Sequence, residues 1–159
     1  MFTFNIFDTV VATQDWHPSF HCSFEKWPIH CLAGSYGAEF HNALDTIPIN
    51  IIFHKGMNKN IDSYSAFYDN NKNETGLAKF YIPDVDIEYN QEFYVCGIAT
   101  EICVKATIID CKKSFDLNNN KFFIIFDACA SITEKGEKET ISYLKENSIK
   151  IINSGKILK

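Results

Sequence analysis

Five runs of apolar, largely β-branched residues punctuate the chain, at Thr9–Ala12, Ile49–Phe53, Phe93–Gly97, Phe122–Phe126 and Ile149–Ile152. None alternates cleanly between apolar and polar. A strand apolar on both sides suits a sheet covered on both faces, which points to parallel pairing with crossover helices as the cover. Between the last three runs the period changes. Glu101–Lys113 sets Ile102, Ala106 and Ile109 on one helical face, and Glu134–Asn147 does the same with Ile141 and Leu144. Ser131 and Glu134 are spaced as a capping box ahead of the second helix. Strand, helix, strand, helix, strand is the order of an α/β fold with right-handed crossovers. Met57–Asn73, rich in Asn, Asp and Ser, reads as a long loop, and such a loop inside a compact domain is often functional. With no repeat and no linker, residues 1–159 are assigned to a single domain.

Composition narrows the function more than the fold. At 159 residues the chain is long enough to bury a core of its own. Its net charge is −5, and all 15 basic residues are lysines. Without arginine or a basic stripe, nucleic-acid binding is not expected. No apolar run reaches transmembrane length, and the first residues lack the pattern of a signal peptide, so a cytoplasmic protein with no membrane contact is expected. The six cysteines are then reduced thiols, three disulfides being the alternative.

Three places carry candidate chemistry. Asp15 and His17 lie two apart after the first strand, so an extended backbone points both the same way, and His21 and His30 follow closely. One carboxylate with two or three imidazoles can hold a divalent transition metal. Histidines on a surface loop give the same pattern, and spacing alone leaves the two readings open. Cys103 falls in the first turn of the helix after Phe93–Gly97, at the carboxyl end of a buried strand, where open α/β sheets bind ligands. A helix N-terminus favours the thiolate, and its backbone N–H groups can hold an oxyanion. Cys96, Cys111 and Cys129 read as structural thiols. Lys55 ends the second strand at the same carboxyl edge, placed to hold a thiolate or a carboxylate.

Together these residues resemble the nicotinamidase branch of the isochorismatase-like cysteine hydrolases. The likeness rests on Thr13–Phe24 (TQDWHPSFHCSF), Trp27–His41 (WPIHCLAGSYGAEFH), Phe53–Gly56 (FHKG) with Asp62–Asn70 (DSYSAFYDN), and Gly97–Lys105 (GIATEICVK). It implies a three-layer α/β/α fold with a mostly parallel, Rossmann-like sheet. It implies Asp15, His17 and His30 as metal ligands, with His21 as a further ligand of some members. The metal would be zinc first, with iron or manganese as the others the family uses. Cys103 matches the nucleophile, Lys55 the triad lysine, and Ala99 and Cys103 the oxyanion-hole amides, with a cis peptide between Ile98 and Ala99. Trp27 matches an aromatic of the pyridine pocket, with Tyr64 and Phe67 beside it. The implied reaction is hydrolysis of nicotinamide through a cysteine thioester, in NAD salvage. A homo-oligomer is compatible with all of this.

The family opens with a strand carrying a triad aspartate, and no residue of this sequence matches it, so the chain is expected to be N-terminally incomplete relative to the family. Asp8 opens the first strand, roughly 20 Å from its far end at ~3.3 Å per residue, and does not replace it. Asp127 matches an aspartate that the family already has elsewhere. A catalytically dead homologue that binds nicotinamide or metal, and a hydrolase of another small amide or of isochorismate, are the alternatives.

Overall fold

The computed structural model describes residues 6–80, 90–116 and 119–157. The chain forms two compact units, Met1–Thr75 and Gly76–Lys159. Each is built on parallel strands, and the described strands form two ladders, one of two strands and one of three.

In the first unit β1 (Val11–Asp15) pairs with β2 (Ile51–Lys55), with Val11 opposite Ile51 and Asp15 opposite Lys55. Both strands run two to three residues further toward the polar motifs than their apolar runs predict. The polar extension is tolerated because its side chains find partners. Gln14 donates to the Ala38 carbonyl at 2.9 Å and meets His54 Nε2 at 3.2 Å, while the His54 ring stacks on Trp16. Between the strands lie short 3-10 turns at Cys22–Glu25 and Tyr36–Ala38.

The loop predicted over Met57–Asn73 has no strand or helix of its own, yet it is internally tied. Ser63 Oγ donates to the Ser65 carbonyl, Thr75 Oγ1 to the Ala66 carbonyl, and Asp69 accepts from Asn71 and Asn73. Ser63, Ser65, Ala66 and Phe67 are buried. Buried backbone must be hydrogen-bonded somewhere, and here short-range side chains do the work that a ladder does elsewhere.

In the second unit β3 (Glu92–Ile98), β4 (Lys121–Ala130) and β5 (Lys150–Ile152) pair in parallel with β4 in the middle. The central place explains the continuous apolar run: Phe122, Phe123, Ile124 and Ile125 are all buried. Phe93 stacks on Phe115 and Phe122, and Tyr94 on Phe123. The ladder slips between Val95 and Gly97, the latter at φ +125°, just before the strand ends.

α1 covers Lys105–Phe115 and α2 covers Glu134–Glu146. Both helices depart in detail from the expected pattern. The first begins at Lys105 because Thr100–Val104 is a π-helical turn, so Cys103 lies ahead of the α-helix and not in its first turn. The buried stripe is Val104, Ile108, Cys111 and Phe115, two positions on from the expected face of Ile102, Ala106 and Ile109. In the second, Leu144 and Thr140 are buried. The cap is Thr133, whose hydroxyl accepts from Gly136 N at 3.0 Å, and Ser131 does not take part. Ser131 Oγ is buried with no hydrogen-bond partner among the described residues.

Candidate active site and metal centre

The first unit gathers its polar residues at the carboxyl ends of β1 and β2. Lys55 is buried, and its ammonium donates to Asp15 Oδ1 at 2.5 Å and to the Ser63 carbonyl at 2.7 Å. Register makes this pair, since Asp15 and Lys55 are opposite residues of one parallel ladder. An ammonium taken out of water this far is tolerated when a carboxylate and a carbonyl meet it. The lysine expected at a strand end is thus bound to the aspartate expected among the metal ligands.

Beyond the strand end the chain turns back on itself. His17 N donates to the Cys31 carbonyl and Ala33 N to the His17 carbonyl, which brings His30 back beside His17. The rings of His17 and His21 stack at 4.0 Å, and His30 stands edge-on to His17 at 5.0 Å. His17 and His21 are each 1% exposed. His17, His21 and Asp62 each offer one donor atom, and these atoms lie within 4.8 Å of one another. Asp62 belongs to the DSYSAF stretch but has no metal role in the sequence reading. Its signal was being the first carboxylate after the second strand.

The hydrogen bonds show which ring nitrogens are available. His17 Nδ1 lies 2.9 Å from the Gly56 carbonyl, and His30 Nδ1 lies 2.7 Å from the Pro28 carbonyl. A carbonyl only accepts, so Nδ1 carries a proton in both rings and Nε2 is the nitrogen left to face a metal. His21 differs. Its Nδ1 meets Ser23 Oγ at 2.7 Å and accepts from Ser23 N at 3.2 Å, which puts the proton on Nε2. Binding a cation at Nε2 would move that proton to Nδ1, where Ser23 Oγ can accept it. His21 Nε2 is buried with no partner among the described residues. Burial lowers the His21 pKa and His17 adds to the effect, while Asp62 and the backbones of Ile61 and Asn58, which lie close to the ring, oppose it. Two imidazoles, one with a buried nitrogen that lacks a hydrogen-bond partner among the described residues, and a carboxylate fit a divalent transition-metal ion.

Trp27 is partly exposed beside the 3-10 turn that carries Ser23, to whose carbonyl its N–H donates at 2.9 Å. Tyr64 is half-buried and Phe67 is buried, both in the tied loop after β2.

In the second unit β3 ends at Ile98, a cis peptide joins Ile98 to Ala99, and the π-helical turn Thr100–Val104 follows. Val104 N and Ile102 N both donate to the Ala99 carbonyl at 3.1 Å, so the turn is wider than an α-helical one. Cys103 sits on it, half-buried. None of the six cysteines is in a disulfide. Cys111 is a buried core thiol, its pKa pushed up to about 12 by burial. Cys96, expected to be buried, is exposed. Asp127 lies within β4 and is engaged by Ser154, whose N–H and hydroxyl donate to it at 2.8 and 2.7 Å.

Among the described residues no helix is long and apolar enough to cross a membrane.

Comparison with known proteins places this arrangement. The Isochorismatase domain family matches residues 4–155. The nicotinamidase of Acinetobacter baylyi is 40% identical over 151 residues, covering 82% of this chain and 67% of that protein. An L. infantum protein solved in complex with nicotinate superposes with a TM-score of 0.82 at 35% identity, over 94% of this chain and 73% of that one. A pyrazinamidase of Pyrococcus horikoshii solved in complex with zinc gives 0.74 at 32% identity, over 91% of this chain and 75% of that one. The α/β class and the all-parallel ladders agree with the three-layer α/β/α architecture of that family. The chain belongs to the isochorismatase-like hydrolases and, within them, to the nicotinamidase family of amidohydrolases.

Proposed function

We propose that this protein hydrolyses nicotinamide to nicotinate and ammonia, with Cys103 as nucleophile. The observation that carries the reading is the seat of Cys103, on a strand-to-helix turn at the carboxyl end of a parallel strand. The start of the helical segment favours the thiolate. The thiolate attacks the amide carbon, and the backbone N–H groups of Ala99 and Cys103 take the charge that develops on oxygen. The carbon–nitrogen bond breaks as the nitrogen gains a proton and leaves as ammonia. Water then cleaves the thioester, releasing nicotinate and the thiol.

His17 and His21 would hold a divalent metal, with Asp15 and His30 as further ligands and Asp62 as the donor that the fold adds. Zinc is the first choice, supported by the zinc-containing relative, with iron or manganese next. Bound there, the ion would supply a Lewis acid that orients the substrate. Lys55 fixes Asp15 through Oδ1. Trp27, Tyr64 and Phe67 are the aromatic residues assigned to the pyridine ring. The activity would return nicotinamide to NAD synthesis, in the cytoplasm, the compartment that keeps thiols reduced.

The test is ammonia release from nicotinamide, with zinc, iron or manganese added, for the protein and for Cys103→Ala. Release should fall by at least about a thousandfold in the variant, as for loss of a covalent nucleophile. A folded, metal-loaded protein that releases no ammonia, or a variant that releases it at the original rate, would overturn the proposal.

A further inference from the structure

Two residues before Cys103, the Glu101 side chain leaves the nucleophile's turn and reaches the start of α2. Its Oε1 accepts from Ile132 N and Thr133 N, both at 2.9 Å, and from Thr133 Oγ1 at 3.5 Å. Its Oε2 accepts from Ile132 N at 3.1 Å. These donors precede or cap a helix whose N-terminus carries partial positive charge, so a carboxylate there is favoured twice. Burial resists ionisation of Glu101, but the N–H groups of Glu101, Thr133 and Ile132 prevail and hold its pKa below the ordinary value.

A second feature comes from the other side of the contact. Gly136 is the third residue of α2, where glycine costs about 1 kcal/mol relative to alanine. Its φ is not in the left-handed region, so the backbone does not demand glycine. Space does: a β-carbon there would meet Glu101 Oε1 and Thr133 Oγ1 at 2.9 Å and Glu101 Cγ at 3.0 Å. The helix gives up propensity at the one place where a methyl group would displace this carboxylate.

We propose that Glu101 is a positioning residue for Cys103, clamping the π-helical turn to the N-terminus of α2 so that the nucleophile and the backbone N–H groups around it keep one orientation. Within the turn Ile102 N and Val104 N share one carbonyl, that of Ala99, and Lys105 N donates to the Ile102 and Thr100 carbonyls. The clamp ties this turn to a second element, the start of α2. Misplacement of a reacting group by about 1 Å can cost on the order of a hundredfold in rate.

This inference rests on the reading of Cys103 as nucleophile, and the experiment separates the two. Nicotinamide hydrolysis and the rate of Cys103 alkylation by iodoacetamide, located by mass spectrometry, are measured for the metal-loaded protein and for Glu101→Ala, Glu101→Gln, Gly136→Ala and the Glu101→Ala/Gly136→Ala pair. Glu101→Ala should lower kcat about tenfold or more, with KM within about twofold. It should also change the Cys103 alkylation rate at least about threefold. Glu101→Gln keeps an oxygen where Oε1 stands and should recover most of both. Gly136→Ala should imitate Glu101→Ala when made alone and add nothing in its background. Should Glu101→Ala fail to fold, Gly136→Ala, which removes no charge and no donor, decides. Unchanged kcat and alkylation in the folded variants would overturn the clamp, as would additive effects of the two substitutions. If the unsubstituted protein does not hydrolyse the amide, the proposed function falls, and the alkylation rates still decide the clamp.

Discussion

Gly56 is where backbone freedom and the histidine cluster meet. It follows Lys55 at φ +63°, its carbonyl holds the Nδ1 proton of His17, and a β-carbon on it would lie 2.5 Å from the ring carbon Cε1 of His17. Gly56→Ala therefore strains the backbone and pushes the ring. Unfolding in urea should show a loss of about 2–4 kcal/mol, and zinc titration should show weakened binding. Wild-type stability and affinity in this variant would mean that the loop moves aside. At this scale the sequence showed residue types and spacing, which made Asp15, His17, His21, His30, Lys55 and Cys103 candidates. It did not show partners. That Asp15 faces Lys55 follows from strand register, and that Asp62 approaches His17 and His21 follows from the course of a loop with no period to read.

Elements were legible where apolar periodicity was strong and blurred at their ends. All five strands are present, because apolar runs mark them, but β1 and β2 extend into polar residues whose side chains bond sideways. The second helix starts at Glu134 as expected, but its cap differs for a related reason: Ser131 and Thr133 both have capping side chains, and only the backbone's course selects Thr133. The two should respond differently to truncation. Thr133→Ala removes an N-cap and should cost about 1 kcal/mol. Ser131→Ala removes a buried hydroxyl with no partner among the described residues and should lie within about 0.5 kcal/mol of neutral, or stabilise. Denaturant unfolding of the two variants checks this, and equal losses would restore Ser131 as a cap. The π-helical turn left no trace in the pattern, since a five-residue turn adds one position to the helical period just where the strand's own period ends.

At the scale of the whole molecule, charge sets the response to acid. Several carboxylates ionise more readily folded than unfolded: Glu92 because Lys121 and Tyr94 donate to it, and Asp127 because Ser154 does. A carboxyl group depressed on folding adds stability above its unfolded pKa and loses it as pH falls through the folded one. Melting temperature should therefore be flat from about pH 6 to 8 as far as these groups are concerned, and fall below about pH 4. Metal acts on the same observable. An ion at 100 times its Kd adds about 2.7 kcal/mol to the state that binds it. Stripping with a chelator should lower the melting temperature and zinc should restore it, but neither should act on His17→Ala. The pairing of strands bears on a different property, the route by which the chain folds. No strand of either ladder is joined to its neighbour through a hairpin. Asp15 finds Lys55 across 40 residues and Glu92 finds Lys121 across 29. Loop closure comes before the reward of each ladder, so α1 and α2 should form early and the sheets late, with refolding nearer to milliseconds or seconds than to microseconds. During synthesis, β1 must wait without its partner until β2 has emerged.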